Sequence, residues 1–126
     1  MLKSQAFTLI ELLVAIAIIV LLAAVLLPVM AGTRRAANNS SAQSLARDAV
    51  TKAEVQRSEN NNEVVYASIT ACAPQMFSSL PSNVTSCEIR QDTSSSYALV
   101  KSSSGAYYQF DGQQLLGPLT SAPASW

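Results

Sequence analysis

Residues 7–27 read FTLIELLVAIAIIVLLAAVLL, 21 positions whose only polar members are Thr8 and Glu11. At about 1.5 Å per residue a helix of that length covers roughly the 30 Å hydrocarbon core of a bilayer. Being apolar on every side, it has no face to offer water and must end in lipid or among other apolar surfaces. The segment also explains the composition. Only 13% of the chain is charged, against about 25% in a soluble domain, and Glu11 is the sole charged residue between Lys3 and Arg34. The rest of the 126 residues is polar and serine-rich, enough for one small domain. Eight basic residues balance eight acidic ones, so no overall charge points to nucleic acid or an acidic partner. The absence of histidine excludes Ser-His-Asp, Cys-His and histidine-containing zinc sites, and two cysteines are too few for an all-cysteine tetrahedral site.

A secretory signal peptide is one reading, with Lys3 as its positive start. The run is longer than the usual apolar core of about 7 to 15 residues, contains Glu11, and leads into no clear small-residue cleavage motif. A plain transmembrane anchor, with Lys3 in the cytoplasm and the rest exported, fits everything except Glu11. An ionised carboxylate costs about 2.5 to 3.5 kcal/mol at the centre of a membrane helix, and less toward its end. An anchor gains nothing from it, and Lys3 is the only basic residue before Arg34. A cut just ahead of Phe7 would create an amino group four residues from Glu11, its natural partner on the same chain or a neighbour.

Residues 2–27, with Lys3, the small residue Ala6, then Phe7-Thr8-Leu9-Ile10-Glu11 and an unbroken apolar helix, resemble the N-terminus of a type IV pilin. The match covers about the first 30 residues. The resemblance implies a leader at residues 1–6, removed between Ala6 and Phe7 by a membrane-embedded prepilin peptidase that also N-methylates Phe7. It further implies an assembly charge pair between Glu11 and the amine of Phe7. Ala6 stands where the family usually has glycine, and a glycine common later in the helix is missing, since Val20 lies in an unbroken apolar stretch. The expected organisation is a leader over 1–6, an apolar transmembrane or filament-core helix over 7–32, an amphipathic half over 33–59, and a β-rich head over 60–126.

Pro28, at a position matching a proline common in the family, removes a backbone donor and clashes with the carbonyl of Ala24, and Gly32 weakens the same region. Either the helix ends here or it is kinked or stretched, and the resemblance favours the kink. Beyond it Ala42, Leu45, Ala46, Ala49, Val50 and Ala53 form a stripe at helical spacing, expected to pack on the chain's own sheet. Arg47, Asp48, Lys52, Glu54 and Arg57 lie across from it, with Asp48 and Lys52 placed as an i,i+4 pair. Asn60-Asn61-Asn62 ends the helix. Arg34 and Arg35 conflict with export of the chain beyond them, because basic residues favour the cytoplasmic side. The conflict eases if they reach the outer headgroups, where basic residues bind lipid phosphate. In a filament they could meet Asp48, Glu54 or Glu59 of a neighbour, and a solvated basic turn is the alternative.

In the head, residues 97–101 and 106–110 read as strands around a Ser102-Ser103-Ser104-Gly105 turn, and Asp111-Gly112 leads to a further strand at 113–116. Residues 88–91 add another, and 64–69 form a short strand or a packed loop. The expected fold is α+β: a long N-terminal helix packed on an antiparallel sheet of three to four strands. Cys72 and Cys87 enclose 14 residues, read as an irregular surface loop. Export to an oxidising compartment pairs them, with two buried free thiols as the alternative; many pilins close a loop this way. The tail with Trp126 is expected to pack on the sheet. Asn38, Asn39 and Asn83 open glycosylation sequons of a kind frequent by chance.

The function implied by the resemblance is that of a structural subunit of a type IV pilus, stored in the inner membrane and polymerised with itself by an assembly platform into a surface filament for motility, adhesion or DNA uptake. The alternative is a pseudopilin or minor pilin of a secretion or DNA-uptake system. Tip subunits can lack the glutamate, and major pseudopilins often carry a C-terminal calcium loop, whereas Asp111 stands alone there. No enzyme motif, cofactor or metal site is expected. Tyr107, Tyr108 and Lys101 give a poor nucleic-acid footprint.

Overall fold

The computed structural model describes residues 7–126; the expected leader, Ala6 included, lies outside them. Helix α1 spans Leu9–Glu59, 51 residues with Pro28 inside. Its helical assignment runs through Pro28 and Gly32, so the helix does not end there, and no melted segment interrupts it. Proline removes one hydrogen bond locally, while the flanking turns are rich in Leu, Ala and Met, which are strong helix formers. The chain divides into two compact units, Met1–Arg34 and Arg35–Trp126.

In the second unit α1 ends at Glu59, with Asn61 and Asn62 at φ 56° and 64°. These are left-handed values that asparagine tolerates. Beyond them lies a five-stranded antiparallel sheet in the order β1 (Thr70–Ala71), β2 (Val84–Gln91), β3 (Ser96–Ser102), β4 (Tyr107–Phe110) and β5 (Leu115–Leu119). The strands that depart from expectation are those with the weakest patterning. β1 has two residues, too few to show alternation, and β5 contains Gly117 and Pro118, residues normally read as breakers. Residues 64–69 are loop.

The alanine stripe packs as expected. Ala42, Ala46, Ala49 and Ala53 are fully buried and Leu45 nearly so, in one cluster with Cys87, Ile89, Ala98, Val100 and Tyr108. Val50 lies at its margin. Alanine on one side and β-branched residues on the other let the helix approach the sheet closely at native packing density. β2 begins at Val84, so Cys87 sits inside a strand and the irregular part of the bridged segment is shorter than expected. Cys72 opens a single helical turn, α2 (Cys72–Gln75), and is bonded to Cys87 with their Cα atoms 5.4 Å apart.

Arg57 departs from the expected solvent face, and Lys52, which stays exposed, departs from its expected partner. Arg57 is buried at 7% exposure. Its Nη2 donates to the carbonyls of Asp92 (2.6 Å) and Ser95 (3.0 Å), and Nη1 lies 3.5 Å from Glu54. The guanidinium thereby satisfies carbonyls of the β2–β3 turn. Lys52 does not pair with Asp48. Its Nζ donates to the Met76 carbonyl (3.0 Å) and stands 4.0 Å over the Phe77 ring, holding the bridged segment to the helix. Gln91, 2% exposed, ties three elements together. Its amide donates to Ala53 O and Ser96 Oγ, and its Oε1 accepts from the Val65 and Tyr66 N–H groups.

The Asp92 carboxylate closes the same turn. The Tyr97 hydroxyl, then the Ser94 N–H and hydroxyl and the Ser95 N–H, hold its pKa far below the ordinary range, because each bond favours the ionised form. A depressed carboxyl contributes stability above its unfolded pKa, near 3.9, that is lost as pH falls toward the folded value. Thermal melts of the Asp92→Asn variant should therefore show a lower Tm than the parent at neutral pH, with the gap shrinking as pH drops below about 4. A gap independent of pH would assign the effect to shape rather than charge.

Candidate assembly surface

The apolar half of α1 carries no internal partner. Every large aliphatic side chain from Leu9 to Met30 is exposed, between 52% at Ile18 and 80% at Leu9. Fully covering a side chain of this kind is worth about 1.5 to 3 kcal/mol. Summed along the segment, the unmet burial exceeds the roughly 5 to 15 kcal/mol that stabilises a whole domain. The segment is thus a surface that must be covered, by lipid or by like helices. It meets the length and composition requirements for a membrane span.

Glu11 sits at the start of this surface in a shallow groove with Ile10, Val14, Ala15 and Ile18. Its Oε2 accepts from the Thr8 backbone N–H (2.9 Å) and the Thr8 hydroxyl (2.8 Å), while the Glu11 N–H points to Thr8 Oγ1 at 3.3 Å. The Leu12 N–H bonds the Thr8 carbonyl at 3.3 Å, which makes Thr8 the N-cap residue. This is a capping box: two N-terminal donors of the helix are satisfied reciprocally and the carboxylate lies at the positive end of the helix dipole. Thr8-x-x-Glu11 ahead of an apolar run is its sequence signature, a signal that the treatment of Glu11 as a bare anomaly passes over. The carboxylate therefore has partners within its own chain before any amine exists. Within residues 7–126 both bonds fall on Oε2.

Phe7 precedes the helix and is 85% exposed. In the full-length chain its nitrogen is a peptide amide, so a charge pair between Phe7 and Glu11 would require cleavage ahead of Phe7. Pro28 and Gly32 lie within the continuous helix, where the Thr33 hydroxyl bonds back to the Val29 carbonyl at 3.1 Å. Cys72 and Cys87 are joined in the head. Among the described residues no cluster of His, Cys, Asp or Glu could hold a metal ion. The aromatic residues considered for base stacking separate: Tyr108 is buried in the core cluster, and only Tyr107 pairs with Lys101, 5.1 Å from its ring centre. Asn83 donates its side-chain amide to Ser41 Oγ at 2.6 Å, and Asn39 Oδ1 accepts from Ser104 at 2.5 Å, so both amides are engaged. Trp126 is half-buried.

A bare apolar helix with a capped acid at its start, continued by a disulfide-bonded α+β head, defines a membrane-insertable subunit built to be covered by other helices. Comparison with known proteins agrees. Residues 1–27 match the prokaryotic N-terminal methylation motif, and residues 38–116 match the Pilin A4 family. The chain is 37% identical over 109 residues, 86% of its length and 80% of the relative's, to the type IV wide pilus major component PilA4 of Thermus thermophilus. No solved structure matches it. The chain belongs to the Pilin A4 family of type IV pilins. It is a structural pilus subunit that associates with its own kind, and its methylation motif marks it as a substrate of a prepilin peptidase.

Proposed function

We propose that the chain is a filament-forming pilin held in the inner membrane by residues 7–32 until an assembly platform extracts it. The observation that carries this reading is the all-round exposure of the apolar half of α1 with Glu11 capped at its start. Lipid and a bundle of like helices offer similar surroundings, so the same surface serves storage and assembly. Removal of residues 1–6 leaves a methylated amine at Phe7, one residue from the Thr8–Glu11 cap. The second carboxylate oxygen of Glu11 then takes that amine from the adjacent subunit while Oε2 keeps its bonds to Thr8. Pro28 and Gly32 are the positions where helical hydrogen bonding yields most easily, so the helix lengthens there on leaving the bilayer. The likeness to a major pilus component favours an abundant subunit over a minor one.

Mass spectrometry of the purified mature protein tests the first step. The expected result is loss of residues 1–6 and one added methyl group on Phe7. An intact N-terminus removes the basis for the charge pair.

A further inference from the structure

We propose that Arg34, with Arg35 beside it, binds phospholipid phosphate in the outer headgroup layer and sets the depth at which the stored subunit rests. The inference rests on the storage reading above. Its starting point is the unbroken helix, which converts residue number into distance: 34 − 11 = 23 residues separate Arg34 from Glu11, or roughly 35 Å of axial rise at about 1.5 Å per residue. With Glu11 at the inner edge of a hydrocarbon core about 30 Å thick, Arg34 emerges a few ångströms past the outer edge, among the phosphates. A tilt of about 20° shortens the span by only ~2 Å and leaves the placement unchanged. A melted segment at Pro28 would have broken this correspondence.

Charge supplies the second argument. Both arginines are exposed, and the only ion pair among the described residues is Arg57 with Glu54. No acidic residue occurs between Glu11 and Asp48, so the neighbouring turns of the helix contain no counter-charge. Two basic residues just beyond an exported span oppose its export. An external anion that meets them at this depth removes the conflict, and the phosphodiester of a lipid headgroup is the anion that the bilayer places there. A guanidinium binds phosphate through two parallel hydrogen bonds. Ala36 and Ala37, then polar, uncharged Asn38, Asn39 and Ser40, follow on the chain and add no competing acid.

The test uses full-length protein reconstituted in vesicles of phosphatidylcholine alone or mixed with phosphatidylglycerol. Flotation reads insertion, and native mass spectrometry of the re-solubilised protein reads bound lipid. The parent should insert and retain phosphatidylglycerol preferentially, and Arg34→Gln/Arg35→Gln should insert but lose about 5-fold in that preference per arginine, roughly 30-fold for the pair. Arg34→Lys/Arg35→Lys should keep most of it. Equal lipid retention by parent and glutamine variant overturns the proposal while leaving the storage reading intact. Displacement of the lipid by inorganic phosphate at equal concentration overturns it in favour of a generic anion site. If only self-associated copies mask the arginines, with no lipid preference, the partner is an acidic face of a second copy and the proposal is likewise overturned. Failure of the parent to float with either vesicle overturns the storage reading and this inference together.

Discussion

Glu11→Ala is expected to leave membrane insertion intact while reducing sheared surface filaments, counted by electron microscopy, at least about tenfold, the change that a loss of ~1.4 kcal/mol per contact produces. Insertion does not suffer, because the carboxylate that is removed opposes it, by up to about 2.5 to 3.5 kcal/mol at the centre of a membrane helix and less at the end. Assembly suffers for two separable reasons. The variant loses the carboxylate half of the cap, the two bonds that Oε2 accepts from Thr8, worth about 1 kcal/mol, and it loses the acid proposed to meet the Phe7 amine of the neighbour. Glu11→Gln separates them, since a glutamine carbonyl still accepts from Thr8 but carries no charge. If the glutamine variant assembles like the parent, the cap is the role of this residue and the charge pair is wrong. If it fails like alanine, the charge is what assembly requires.

Cys72→Ser/Cys87→Ser should destabilise the head by roughly 3 kcal/mol, the value expected on the loop-entropy model for a bridge closing about 15 residues. For a domain of this size that lowers the Tm by about 10 to 20 °C, measured by circular dichroism on the full chain in detergent. The bridge ties the turn at Cys72 to the middle of β2, and β1 adds only the pairs Thr70–Ile89 and Ala71–Glu88. Lys52 holds the segment from the other side, through Met76 and Phe77. A loss below about 1 kcal/mol would mean that these contacts, not the bond, retain the segment; a contribution of that size is typical of hydrogen bonds and cation–π contacts.

Much of the fold was legible in one dimension wherever a periodic signal was long. The alanine stripe of α1, the stop at three asparagines, the β3–β4 hairpin and the cysteine pair could all be read from spacing and residue type. β1 and the full extent of β5 could not, because their pairing depends on neighbours already in place rather than on their own alternation. The candidate site was half legible. Glu11 stands out as an anomaly in an apolar run, while its nearest partner, Thr8, reads only as a polar exception until the capping signature is recognised.

Arg57, Lys52 and Gln91 show where reasoning from periodicity runs out. Helical spacing assigns Arg57 to a solvent-facing side, yet it is buried against turn carbonyls, and Lys52, exposed as its spacing implies, reaches a distant backbone oxygen rather than Asp48. A long cationic side chain goes where unsatisfied acceptors are, and those acceptors exist only once the β2–β3 turn and the bridged segment have formed. Residue type and local period are enough to establish that residues 7–27 need lipid or like helices around them and that the chain has no histidine-based chemistry. Three-dimensional geometry was needed to show that α1 continues through Pro28, that Glu11 caps its own helix, and which polar groups of the head find one another. Each of these depends on backbone groups brought into reach by the fold, and no single stretch of chain contains that information.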